Sequence, residues 1–89
     1  APLSVIGRNC RICRGARISG AVIFDNCTIG EDCTVTDSII SHNVKLEQGV
    51  HIGGLSVIGD NTVIQKDNVL EHGIKININS AIEEGQIRF

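Results

Sequence analysis

Branched aliphatic residues recur along the chain at a nearly constant step. From Ile6 the step is six to Ile12 and Ile18, then five to Ile23. Sixes follow to Ile29 and Val35, then another five to Ile40. Strict sixes then run through Leu46, Ile52, Ile58, Ile64, Leu70, Ile76 and Ile82. Two residues before each aliphatic there is usually a slim side chain, such as Ser4, Cys10, Ala16, Cys27, Cys33, Ser56 and Thr62. Alternation along a strand points both positions to the same side, so both face inward. Three residues after the aliphatic, wherever the step is six, stand Asn9, Gly15, Asn26, Asp32, Asn43, Gly49, Asn61, Asp67, Gly73, Asn79 and Gly85, with Leu55 the exception. Gly, Asn and Asp are the residue types that enter the left-handed backbone region at low cost.

This pattern predicts a short strand and a turn in every six residues, which is a solenoid. A helix fails, because a step of six rotates successive side chains by about 240° around the axis. The two five-residue steps set the number of sides. They fall at the same corner only if three hexapeptides make one coil, so the cross-section is a triangle. The coils begin at Ile6, Ile23, Ile40, Ile58 and Ile76. Five coils stacked at the ~4.8 Å strand spacing give a prism of about 20–25 Å. The inner columns are Ile6, Ile23, Ile40, Ile58 and Ile76 on face one and Ile12, Ile29, Leu46, Ile64 and Ile82 on face two. Face three has Ile18, Val35, Ile52 and Leu70, and the pattern stops at Arg88. The fold class is all-β.

Composition agrees. The 89 residues include fifteen Ile but no Trp, Tyr or Met, which suits many equivalent narrow slots better than a core filled by rings. Charged residues are 20% and the net charge is −2, against an acidic disordered chain. No apolar run approaches the ~18 residues that span a membrane, so no membrane partner is expected. Four Cys is sparse for a disulfide scaffold. Ile74, Ile78, Ile87 and Phe89 are candidate caps at the C-terminal end. The N-terminal end shows none, so residues 1–89 read as the C-terminal piece of a longer chain.

An aliphatic-centred hexapeptide, often followed by Gly (Gly7, Gly30, Gly53, Gly59), resembles the single-stranded left-handed parallel β-helix of the hexapeptide-repeat families. The left hand is implied by that resemblance; the general crossover rule favours the right hand. The phrases Asp37-Ser38-Ile39-Ile40, Gly54-Leu55-Ser56-Val57-Ile58-Gly59, His72-Gly73-Ile74-Lys75-Ile76 and Glu84-Gly85-Gln86-Ile87-Arg88-Phe89 resemble the tail of sugar-1-phosphate nucleotidyltransferases. The mannose-1-phosphate guanylyltransferase branch is nearest, and glucose-1-phosphate enzymes follow. The resemblance implies a tail that assembles or regulates subunits. It also implies a separate N-terminal catalytic domain that uses Mg²⁺ to make an NDP-sugar. That domain's Gly-rich loop and metal-binding Asp have no counterpart here. The isolated chain is therefore expected to be inactive, with no catalytic residue, metal site or cofactor of its own.

Acyltransferases of this fold use His as a general base, so His42, His51 and His72 support an alternative reading as an acetyl-CoA-dependent enzyme. Their gaps of nine and twenty-one do not fit the fold's zinc pattern, and no loop interrupts the repeat. Cys10-Arg11-Ile12-Cys13 spells C-x-x-C, but Cys10 falls inward and Cys13 outward. Cys10, Cys27 and Cys33 read as small core residues, which favours a reducing, cytoplasmic setting. Arg8, Arg11, Arg14 and Arg17 form a collar on coil one, placed to contact the preceding domain or a phosphate. No aromatic side chains interleave them, which argues against nucleic acid. Finally, Val5, Val22, Ile39 and Val57 point outward on face one, with Phe24 beside them. Faces two and three carry Arg11, Thr28, Lys45, Val63 and Ala81, and Arg17, Thr34, His51, Val69 and Ile87. An apolar stripe on one face is expected to be a self-association surface, with a homotrimer favoured.

Overall fold

A computed structural model describes residues 4–87, all of it strand, turn and loop. Fourteen strands of two or three residues each wind into a three-sided stack. Face one is β1 (Val5–Ile6), β4 (Val22–Ile23), β7 (Ile39–Ile40), β10 (Val57–Ile58) and β13 (Lys75–Ile76). Face two is β2 (Arg11–Ile12), β5 (Thr28–Ile29), β8 (Lys45–Leu46), β11 (Val63–Ile64) and β14 (Ala81–Ile82). Face three is β3 (Arg17–Ser19), β6 (Thr34–Thr36), β9 (His51–Ile52) and β12 (Val69–Leu70). All pairings are parallel and in register, so like stacks on like: Ile6 on Ile23, Ile23 on Ile40, Ile40 on Ile58, Ile58 on Ile76.

Each strand is short because the chain must turn a corner every six residues. Corner one joins face one to face two, corner two joins face two to face three, and corner three leads into the next coil. All eleven residues that the pattern assigns to left-handed turns have φ between 57° and 79°. The ladder between coils is built from three repeated bonds, one of which runs from the corner residue back to the previous coil, as in Asn43 N–H to Asp25 O at 3.0 Å. The outward residue of one coil donates to the slim inward residue of the next, as in Val22 N–H to Ser38 O at 3.0 Å. The residue after the aliphatic donates to the aliphatic carbonyl above, as in Phe24 N–H to Ile40 O at 2.9 Å.

The inner columns of coils two to four are the core. Ile23, Ile29, Val35, Ile40, Leu46, Ile52, Ile58, Ile64 and Leu70 are all buried. Slim inward residues bridge coils through their own polar atoms. The Cys27 thiol donates to Ser41 O at 2.8 Å and the Cys33 thiol to Glu47 O at 2.9 Å. Ser56 Oγ donates to Leu70 O and accepts from Ile74 N–H, so a fully buried hydroxyl is satisfied on both sides.

The ends differ from the middle. Ile6 and Ile12 remain 46% and 40% exposed, because no coil lies beyond them among the described residues. At the other end, Ile74 and Ile87 pack on the core, but Ile78 is 63% exposed at a corner and caps nothing. Phe89 and Arg88 lie outside the described residues. Ile87 corrects the outward placement on face three. Val69 N–H bonds to Ile87 O at 2.8 Å, where the repeat would offer Gln86 O. Continuing the six-residue register would drive the charged Arg88 into the inner column. A one-residue slip turns Ile87 inward instead, and buried Asn68 holds it by accepting from Ile87 N–H at 2.7 Å.

Candidate functional site

The feature that departs most from the repeat lies at corner three. In coils one and two the corner is one residue short: Ile18-Ser19-Gly20-Ala21 and Val35-Thr36-Asp37-Ser38. Coil three restores the residue in Ile52-Gly53-Gly54-Leu55-Ser56. The inner columns stay aligned, so the additional residue can only swing outward. Two consecutive residues take positive φ to do it, Gly54 at 63° and Leu55 at 68°. Gly is required at 54, since a Cβ there would run into the Glu71 carbonyl oxygen. Leu55 is 75% exposed and held in a conformation that costs a branched L-residue roughly 1 kcal/mol or more.

Beneath this ledge runs a groove of about 390 Å³. Val22, Ile39 and Val57 form its floor, Gly20, Asp37 and Ser38 one wall, and Leu55 its overhang. Ser38 is buried and bonded to Thr36 O. Asp37 is the single charged group lining the groove. The outward stripe therefore divides. Val22, Ile39 and Val57 come together in the groove, Val5 stands 61% exposed at the coil-one end, and Phe24 flanks the stripe at corner one. Phe24 has a neighbour of its own, the His42 ring at 5.0 Å between centroids. Gly20, Asp37, Ser38 and Leu55 are absent from the stripe as read from the sequence. Their signal is the switch from a five- to a six-residue corner, together with a Leu where Gly, Asn or Asp otherwise stands.

The remaining candidates do not converge. His42 Nδ1 accepts from Asp25 N–H at 3.3 Å, which makes this ring part of the corner-one scaffold. His51 is on β9 and His72 on corner three, a different corner from His42. Among the described residues no three His, Cys, Asp or Glu side chains gather to hold a metal ion. Cys10, Cys13, Cys27 and Cys33 are free thiols. Burial pushes Cys27 and Cys33 above their ordinary range, partly opposed by hydrogen bonds from the backbone at Val44 and Val50. Raised thiols are poor nucleophiles, as fits core residues. Arg8, Arg11, Arg14 and Arg17 are all exposed and spread over corner one, face two, corner two and face three. They ring coil one instead of meeting at one point. The next coil carries Asp25, Glu31, Asp32 and Asp37, but Arg11 and Arg17 pair with Thr28 and Thr34, and none of the four arginines forms an ion pair among the described residues.

Comparison with known proteins bears on this geometry. The family model described as the EIF2B subunit epsilon LbH domain (left-handed β-helix) matches residues 2–70. The chain belongs to that family. Membership supplies the left hand of the coil, which the periodicity alone does not contain. The matched span covers the first three coils and the three strands of the fourth, and thus the whole groove. The bifunctional protein GlmU of Thermodesulfovibrio yellowstonii is 35% identical over 71 residues, 80% of this chain. The chain spans 13% of that relative's length.

Proposed function

We propose that this LbH domain is the assembly module of a sugar-1-phosphate nucleotidyltransferase, of the kind that forms GDP-mannose, working in the cytoplasm. The nucleotidyl transfer itself belongs to a separate catalytic domain with its Mg²⁺. Support for the nucleotidyltransferase reading comes from the family and from the tail-like phrases between Asp37 and Phe89. The Arg8, Arg11, Arg14 and Arg17 collar would meet the catalytic domain, since it surrounds the least covered end of the stack.

One observation carries the assembly reading. Apolar side chains line the outside of face one on four successive strands, β1, β4, β7 and β10, and three of them floor a groove. Covering an aliphatic side chain is worth roughly 1.5–3 kcal/mol when complete, so a surface of this kind gains by meeting its own copy. Light scattering over a dilution series tests it. The chain should form a closed oligomer, and Val22→Glu with Phe24→Glu should return it to monomer. An unchanged mass in the double variant would refute face one as the contact. The acyltransferase alternative has no comparable support, because His42, His51 and His72 are scattered over two corners and a face.

A further inference from the structure

We infer that two copies of this chain pair antiparallel across face one, each inserting Leu55 into the other's groove, about a two-fold axis along the Ile39 rung. The inference rests on the self-association reading and adds its geometry.

Val22, Ile39 and Val57 are three successive rungs of one parallel sheet. Corner three repeats the same three levels, two residues earlier in the chain. Asp37 N–H bonds to Ser19 O beside Gly20, and Leu55 N–H bonds to Asp37 O, both at 3.0 Å. Gly20 therefore lies level with Val22, Asp37 with Ile39, and Leu55 with Val57. The knob and the recess sit on the same edge of the same face, two rungs apart, with Ile39 midway.

A two-fold axis lying in the interface along the middle rung exchanges the outer rungs and keeps the edge. It sets Val22 against the partner's Val57 and Ile39 against the partner's Ile39. It also brings the partner's Leu55 over Gly20, the one groove position at that level with no side chain. Each surface then offers a knob and a hole to an identical surface, which is the condition for an isologous contact. A parallel trimer keeps every rung level with itself. Leu55 would then meet the Val57 level of its neighbour and leave the recess empty.

Area points the same way. The molecule measures 30 × 23 × 23 Å, so one side offers about 500–700 Å², slightly less than the ~800 Å² per partner of a standard interface. A pairing that leaves the groove unfilled falls further below that mark. Shape alone does not favour every contact, since the two Asp37 carboxylates come to the same axis. Asp37→Asn should therefore tighten the pair several-fold.

The experiment uses the 89-residue chain. Light scattering should give a dimer, and Leu55→Gly should weaken it at least tenfold. Gly suits a φ of 68°, so this variant keeps its fold, checked by circular dichroism. In a Cys10→Ala, Cys13→Ser background, mixing V22C chains with V57C chains under oxidised glutathione should yield the mixed disulfide over either homodimer. A trimer, predominant 22-to-22 linkage, or a Leu55→Gly variant with unchanged mass would overturn the antiparallel pair while leaving self-association standing. A monomer at every concentration would remove both.

Discussion

Corners one and two perform the same turn with different chemistry. Corner one places Asn9, Asn26, Asn43, Asn61 and Asn79 at its left-handed position, one in every coil. Corner two places Gly15, Asp32, Gly49, Asp67 and Gly85 there, with Asp and Gly alternating. The difference follows from what each side chain can do with a copy of itself one rung away. An amide carries donor and acceptor together, so Asn43 Nδ2 donates to Asn61 Oδ1 at 3.1 Å, and Asn61 Nδ2 to Asn79 Oδ1 at 3.0 Å. A carboxylate only accepts, and two of them at strand spacing repel by about 1 kcal/mol even in water. Asp is therefore spaced by Gly. The Asp32 carboxylate lies where a Cβ on Gly15 would be, and Asp67 Oδ1 comes within 3.2 Å of the corresponding place on Gly49. Stacked repeats thus select residues that tolerate their own image as well as the turn.

The largest effect comes from giving corner one the wrong chemistry. Asn43→Asp combined with Asn61→Asp removes both amide donors and adds adjacent charges. Stability at pH 7 should fall by about 2–3 kcal/mol in urea titrations. Part of the loss should return below about pH 4, where a protonated carboxyl can donate again. A loss under 0.5 kcal/mol, on the order of a neutral surface change, would mean the ladder contributes nothing.

A smaller effect sharpens corner two. Gly49→Asp would set three carboxylates on consecutive rungs, whereas Gly49→Asn puts an uncharged side chain of similar shape in the same place. The Asp variant should be the less stable by about 1 kcal/mol, and the gap should shrink in 1 M salt. An equal melting temperature for the two would show that space, not charge, keeps Gly between the Asp residues.

The smallest effect concerns the slots behind the corners. Cys27 and Cys33 titrate higher in the folded chain than their reference value of 9.0, through burial. The folded state therefore holds protons that the unfolded state has lost. Their contribution is complete below pH 9, declines as pH rises through the raised values, and appears as a falling melting temperature. Cys27→Ala together with Cys33→Ala should flatten that alkaline decline. An identical decline in the double variant would assign it to other groups.

Much of this was legible from the residues. The five-residue steps before Ile23 and Ile40 placed both shortened corners at one edge, and the stacked register of Ile23, Ile40 and Ile58 follows from them. The outward stripe was legible as well, because alternation in a strand fixes which side each residue takes. Leu55 and Ile87 were not. Leu55 broke the turn pattern without revealing where its side chain would go, and Ile87 followed the pattern on paper while turning the other way in space.

Whatever repeats can be read from the residues alone: the inward columns, the turn positions, the triangle and the number of coils. These depend on strand alternation and local φ preferences, which a hexapeptide carries within itself. How one coil differs from the next emerges only when the coils stack. The ledge at Leu55 and the groove over Val22, Ile39 and Val57 exist because a six-residue corner lies on two five-residue ones, a relation between residues 17 and 18 positions apart. Ile87 turned inward because the coil below offered Asn68 and an apolar end, while its own hexapeptide offered Arg88. The physical reason is the same for both. Exposure and shape are properties of two stacked layers, and neither layer contains them alone.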